Sequence, residues 1–202
     1  QANLSYVGKN YSADISYSAS YNHGRQEEEM TAQPTVNGRP YDIRQDDWYN
    51  FVSLSHNIRG AFDFDLKNKD RLSLSYTGRF YDPDKISRRG ALTEFVGIQR
   101  VETELELSGA SNLHNARVDY IGHKGFRAGM DYTFYKNDDK QHLVNDFEKE
   151  EEQTISTLSS QQVQRANLYL NDNRKLEKGW MLNYGVEASL SDTRNESGQS
   201  IN

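Results

Sequence analysis

The sequence contains no cysteine, only three prolines, and no apolar run longer than three residues in its 202 positions. Without cysteine there is no disulfide framework, no thiolate metal site and no cysteine nucleophile. The short apolar runs exclude a transmembrane helix, which needs about 20 predominantly apolar residues in succession. The net charge of −6 provides no basic field for nucleic acid, so we expect no nucleic-acid partner.

Apolar residues are also scarce, at 35% of the chain against roughly 45–50% in typical globular proteins. Aromatic residues are nevertheless plentiful, with 13 tyrosines, eight phenylalanines and two tryptophans. A chain this polar would be disordered if it held few aromatic residues. The composition therefore predicts an ordered protein without a thick, two-sided hydrophobic core.

Apolar and polar residues alternate strictly in five segments, and this two-residue period is that of a β-strand. Three weaker segments bring the predicted number of strands to eight. The five strong segments are 11–22, 52–66, 72–81, 126–135 and 180–191, and the weaker ones are 2–8, 101–120 and 165–176. The pattern predicts an all-β protein.

The two faces of the five strong segments differ sharply in chemistry. One face carries no Asp, Glu, Lys or Arg, and His56 is its only ionisable residue apart from tyrosine. Such a face meets lipid or a packed core, while the opposite face stays wet. The charged residues of the wet face are Asp14, Arg59, Asp63, Asp65, Arg79, Arg127, Asp131 and Glu187. In a membrane barrel we expect these eight residues to face the lumen, chiefly as ion-pair ladders.

The segment 101–120 changes phase. Its apolar residues are Val101, Leu105 and Leu107 at odd positions, and then Ala116 and Val118 at even positions. One extra residue in a strand restores the facing, so we predict a β-bulge between residues 109 and 115.

Tight turns and long polar stretches alternate along the chain. Three-residue hairpin turns ending in a left-handed glycine are predicted at Gly125 and Gly179, with further turns around Asn10 and Asn68. Long loops are predicted over the polar stretches 23–45, 82–98, 136–161 and 192–202. This asymmetry is typical of an antiparallel up-and-down transmembrane β-barrel of the outer membrane, with short periplasmic turns and long outer loops.

Two other architectures also fit the alternation. A soluble lipocalin-like barrel would enclose an apolar ligand behind the apolar face. A small complete membrane barrel with adhesive outer loops would serve a structural role, since eight strands is the smallest membrane barrel.

Few residues point to chemistry. The five histidines lack metal-ligand spacing and no glycine-rich phosphate loop is present, so we expect no enzyme, cofactor or metal. Glu102, Glu104 and Glu106 place three carboxylates on one strand face. They form either a cation-attracting acidic strip or a plain solvated face.

Two stretches carry a family resemblance. Residues 56–66 and 69–76, and the strand exit at 131–137, resemble hairpins of TonB-dependent receptor-like outer-membrane barrels. The resemblance implies a Gram-negative nutrient-uptake receptor in the cell outer membrane, in contact with membrane lipid and lipopolysaccharide. It also implies that the full-length parent engages an inner-membrane energy-coupling protein and a surface lipoprotein.

The resemblance also bears on domain organisation. We expect residues 1–202 to form a single β-barrel segment with no plug domain and no signal peptide. About eight strands would then belong to a larger barrel of about 22.

Overall fold

The computed structural model describes residues 1–36, 38–40, 43–94, 99–147 and 151–202. Within them the protein is all-β, as predicted, and its two 3-10 turns lie at Lys67–Lys69 and Glu177–Gly179. The strands are β1 Ala2–Val7, β2 Tyr11–Ala32, β3 Thr35–Val36, β4 Arg39–Pro40, β5 Ile43–Asp65, β6 Arg71–Glu94, β7 Gln99–Ile121, β8 Arg127–Phe147, β9 Gln153–Lys175 and β10 Met181–Ile201.

Eight of these strands form one antiparallel, up-and-down sheet. Its order is β1-β2-β5-β6-β7-β8-β9-β10, and β3 pairs with β4 in a separate ribbon. The predicted number of strands and their antiparallel order are confirmed. The sheet is not closed, since β1 and β10 are its two edges among the described residues.

The strands are much longer than their apolar segments. β2 and β5 remain paired from Tyr11–Phe64 as far as Ala32–Ile43, and β10 stays paired with β9 up to Ile201. Most of the polar stretches predicted as loops are therefore strands, and that prediction was wrong. Backbone pairing continues where the apolar side chains stop, because a ladder hydrogen bond does not depend on side-chain hydropathy. Residues 37, 41–42, 95–98 and 148–150 of the predicted loops lie outside the described residues.

The tight turns are found where the sequence predicts them. Gly125 and Gly179 have φ of +96° and +80°, which is the left-handed region that glycine adopts without steric cost. The turn between β5 and β6 reaches the same region without glycine, at Asn68 and Lys69.

The predicted bulge in β7 is not present. β7 pairs with β8 without a shift from Val101–Phe147 to Ile121–Arg127. The extra residue lies instead in β6, where Asp82 and Lys85 oppose Leu54 and Val52. Pro83 is within this interval, and proline is tolerated at bulges because it has no N–H to give to the ladder.

The sheet has no hydrophobic core. None of the described hydrophobic side chains is buried, and the accessible surface is 14857 Å². A compact monomer of 23.3 kDa exposes about 9,700 Å² by the usual scaling with mass. The excess means that both faces of the sheet are open, so other molecules or further chain must cover the apolar one.

Candidate functional surfaces

One face of the sheet carries a continuous apolar belt. Strand pairing joins its side chains into rows across seven strands, since directly opposed residues share a face. The reference row consists of Tyr11, Phe64, Leu72, Tyr120, Ala128, Leu170 and Val186. The next row on the same face is Ala13, Phe62, Leu74, Val118, Met130, Leu168 and Ala188.

From the first hairpin to the fourth, the tight turns lie lower relative to the reference row, with the second and third at the same offset. The first hairpin closes on that row, the second and third two residues beyond it, and the fourth six residues beyond it. The closing pairs are Gly8–Tyr11, Leu66–Asp70, Gly122–Phe126 and Leu176–Trp180. The first and fourth turns differ by six residues, which is about 20 Å along the strands. They are separated by six strand spacings, which is about 29 Å across the sheet. If the turns lie in one plane, the strands are tilted by about 35° from the normal to that plane.

The upper limit of the belt descends at the same slope. In β2 the belt ends at Tyr21, ten residues above the reference row, and in β10 it ends at Leu190, four residues above it. The next residue on the same face in β10 is Asp192. The belt is therefore a strip of constant height, inclined to the hydrogen-bonding rows by about one residue per strand.

The height of this strip follows from the strand rise. Ten residue steps separate Tyr11 from Tyr21, and ten separate Trp180 from Leu190. Ten steps are about 33 Å along a strand, which is about 27 Å of height at a tilt of about 35°. The apolar band of outer-membrane barrels is about 25 Å tall and their strands are tilted by about 35–45°.

Two histidines within the belt are hydrogen-bonded to tyrosines. Tyr17 Oη lies 2.7 Å from His56 Nδ1, and Tyr76 Oη lies 2.8 Å from His114 Nδ1. Each pair joins diagonal positions on adjacent strands, which long side chains span. These pairs are hard to predict from the sequence, because the two residues of each pair are 39 and 38 positions apart. Their proximity depends on the register between neighbouring strands.

The eight charged residues predicted for the wet face all share the face opposite the belt. Asp63 accepts a hydrogen bond from Ser73 at 2.5 Å and pairs with Arg71 at 3.3 Å. Asp131 accepts from the Asn167 amide at 2.8 Å. Among the described residues these two carboxylates are therefore satisfied by short cross-strand bonds, and the face does not form the ion-pair ladders that were predicted. It also holds Arg59, Arg79, Arg127, Asp65 and Glu187, which form no ion pair with any residue that the structure describes.

A cluster of polar side chains surrounds Asp119 on the face opposite the belt. The sequence did not predict this cluster. Arg117 Nε donates to Asp119 Oδ2 at 2.6 Å, and the Tyr169 hydroxyl donates to Asp119 Oδ1. Tyr169 comes from β9, 50 residues away. The alternation had placed Arg117 and Asp119 on one face, but nothing in the sequence relates Tyr169 to them.

Above the belt the faces exchange their chemistry. We call the strand residues beyond it the upper extension: 23–32, 43–53, 82–94, 99–111, 136–147, 153–164 and 192–201. Because β7 has no bulge, Glu102, Glu104 and Glu106 share the face of the belt residue Val118. The opposite face of the upper extension carries Leu105, which is directly paired with Leu143.

Acidic side chains that bind tyrosines occur at the lower edge of the belt and, in β9, within its lower part, where Asp172 and Arg174 share the belt face. We call this edge, with the four turns, the foot. Tyr120 Oη donates to Asp70 Oδ2 at 2.7 Å, and the His123 backbone N–H donates to Asp70 Oδ1 at 2.8 Å. These bonds to the charged carboxylate lower the pKa of Asp70 to about 2. Tyr184 Oη donates in the same way to Asp172 at 2.7 Å.

No protein-family model matches the chain, and no curated protein matches it. No helix among the described residues could span a membrane. No group of three metal-ligating side chains occurs in the described part of the chain. The function is therefore argued from the two faces of the sheet.

Proposed function

We propose that this chain is a wall segment of an outer-membrane β-barrel, within a nutrient-uptake receptor of the TonB-dependent type. The observation that carries the proposal is the inclined belt. With the turns at one level, its slope of about one residue per strand corresponds to a tilt of about 35° and a height of about 27 Å, as for strands that cross a bilayer. A stagger of about one residue per strand accompanies the closure of any β-barrel, so what favours a membrane-facing barrel is the height of the belt, which matches the apolar band of outer-membrane barrels.

The rest of the geometry fits the same role. The belt is exposed, with Leu190 at 73% and Trp180 at 72% of their full accessibility, and lipid would cover it. The opposite face is hydrophilic and would line the lumen. Both free edges of the sheet would be paired in a closed barrel, by each other or by further strands of the parent chain.

The first test is the behaviour of the 202-residue chain with and without detergent, by size exclusion and circular dichroism. A lipid-facing belt predicts a β-rich, monodisperse protein only in detergent or lipid. A compact monomer in plain buffer would overturn the proposal, and would favour the soluble barrel that binds an apolar ligand.

A matched pair of spin labels makes the test more specific. The chain has no cysteine, so Ala13→Cys on the belt and Ala61→Cys on the opposite face each give a single label. In liposomes we expect oxygen dissolved in the bilayer to relax the label at Ala13, and a water-soluble nickel complex to relax the one at Ala61. A label at Ala13 that neither agent reaches would show that protein covers the belt.

A further inference from the structure

The foot of the sheet carries an excess of positive charge. Six exposed lysines lie in or beside the four turns, and every turn has at least one: Lys9, Lys67, Lys69, Lys124, Lys175 and Lys178. The carboxylates in or beside the same turns are Asp65, Asp70 and Glu177, half as many as the lysines. The whole chain has a net charge of −6, so the foot is opposite in sign to the rest of the molecule.

The lysines of the foot are also free to bind an external anion. None of them forms a salt bridge or side-chain hydrogen bond within the part of the chain that the structure describes. Two of the nearby carboxylates are occupied, Asp70 by Tyr120 and His123 and Asp172 by Tyr184 and Arg174, while Asp65 and Glu177 form no ion pair with a described residue. In the upper extension, by contrast, Lys136 pairs with Asp138 at 2.7 Å.

The position of the lysines fits the headgroup level of a bilayer. A stagger of about one residue per strand brings the first, second and fourth turns to one level and the third to within two residues of it, with neighbouring turns about 12 Å apart along that level. The aromatic rings of Tyr11, Tyr120 and Trp180 lie just above, where interfacial aromatic residues are found. An open cleft of about 1030 Å³ separates the third and fourth turns, and Lys124, Arg174 and Lys175 are among its lining residues.

We propose that the foot binds the phosphate groups of anionic phospholipids in the leaflet that faces the turns. This inference rests on the proposed function, because it requires the belt to lie in a bilayer. Each lysine near an anionic surface strengthens binding by about fivefold. Six of them at one level would therefore enrich anionic lipid around the foot.

The two tryptophans allow a direct test, because they lie on the same face at opposite ends. Trp180 closes the fourth turn, and Trp48 lies in the upper extension. The Trp48→Phe variant reports on the foot and the Trp180→Phe variant on the upper extension. Each is reconstituted in phosphatidylcholine liposomes that contain a small fraction of brominated phosphatidylglycerol or brominated phosphatidylcholine, and tryptophan quenching is measured.

We expect brominated phosphatidylglycerol to quench Trp180 several-fold more strongly than brominated phosphatidylcholine at the same mole fraction. The preference should fall to near unity, with the two brominated lipids quenching Trp180 almost equally, when Lys9, Lys67, Lys124 and Lys178 are all changed to Gln. It should also weaken in 1 M salt, where the Debye length is about 3 Å. Trp48 should show no preference.

A control variant removes four positive charges from the upper extension, at Arg25, Lys136, Lys140 and Arg194. It should keep the preference at Trp180. Equal quenching of Trp180 by the two lipids would overturn the inference, as would a preference that survives the loss of the four lysines. Either result leaves the proposed function standing, whereas a chain that does not enter liposomes would overturn both.

Discussion

The belt and the upper extension belong to the same strands, yet their two faces have opposite chemistry. In β8 the belt face carries Met130 and Phe134, and the same face continues with Lys136 and Asp138. The other face, which carries Asp131 in the lower part, remains partly polar at Asp139 and gains Leu143 and Phe147 in the upper part. Strand alternation thus persists over the full length, while the medium around each level decides which face is apolar.

The largest expected effect comes from placing a charge in the middle of the belt. Leu74→Arg should destabilise the protein in liposomes by about 2–4 kcal/mol, because a guanidinium near the bilayer midplane loses its hydration. The measurement is urea unfolding of the liposome-inserted chain, followed by tryptophan fluorescence. Ser75→Arg, the next residue on the opposite face, is the matched control and should change stability by less than about 1 kcal/mol. Equal losses would mean that the two faces do not differ in environment.

The second prediction compares glycines that face aromatic rings in each part. A Cβ at Gly129 would overlap the Tyr169 ring, which is held by its hydrogen bond to Asp119. Gly129→Ala should therefore cost about 1–3 kcal/mol by overpacking. Gly24 faces Phe51 in the upper extension, at 2.6 Å from a built Cβ to ring carbons, but that ring can rotate without losing a hydrogen bond.

Urea midpoints of Gly129→Ala and Gly24→Ala test this difference. The double variant Gly129→Ala, Tyr169→Phe supplies the control. Without the hydroxyl, the ring can move away from the new methyl group without breaking a hydrogen bond, so Gly129→Ala should cost less in this background. If Gly24→Ala proves the more costly change, the polar network around Asp119 does not hold Tyr169 in place.

The third prediction concerns acid. The pKa of Asp70 is lowered to about 2 by hydrogen bonds from Tyr120 and His123, against about 3.9 in an unfolded chain. Its contribution to stability is thus fully present above about pH 4 and is lost as the pH falls towards 2. We expect the urea midpoint of the native chain to fall over this window, and that of Asp70→Asn to fall less.

Asp65→Asn is the control for this titration. Asp65 lies in the same hairpin and is exposed, and it has no side-chain partner among the described residues. This variant should retain the native loss of stability between pH 4 and 2. A native chain whose midpoint is flat over that window would contradict the role of Asp70.

The sequence predicted the lower half of the molecule better than the upper half. Two-residue alternation and the glycines at 125 and 179 gave the strands, their order and the turns. The upper extension was read as loops because its alternation is weak in hydropathy, and a polar strand such as 23–32 looks like a solvated coil. The bulge was assigned to β7 because Leu105 and Leu107 were assumed to share the face of Val118. They lie on the opposite face, and only the exchange of chemistry above the belt explains their positions.

The side-chain hydrogen-bond partners could not be predicted from the sequence for a different reason. Shared facing follows from parity, and it placed the eight charged residues together. Actual partners depend on register, as between Tyr120 and Asp70 or Tyr169 and Asp119, which are 50 residues apart in each case. Turn length fixes the parity of a register, but the stagger between successive hairpins also depends on the pairing of the long strands.

The smallest expected effect compares two three-residue turns of the foot. Gly179 has φ of +80°, and Lys69, at the equivalent position of the second turn, has φ of +67°. A left-handed conformation costs a residue with a Cβ about 1–2 kcal/mol, and glycine recovers part of this at the expense of its own chain entropy. Lys69→Gly should therefore stabilise the protein by about 0.5–1 kcal/mol in urea unfolding. Lys67→Gly removes the same charge at a position without positive φ, and this control should destabilise the protein. A gain in stability in both variants would show that the loss of charge is the cause, and not the relief of backbone strain.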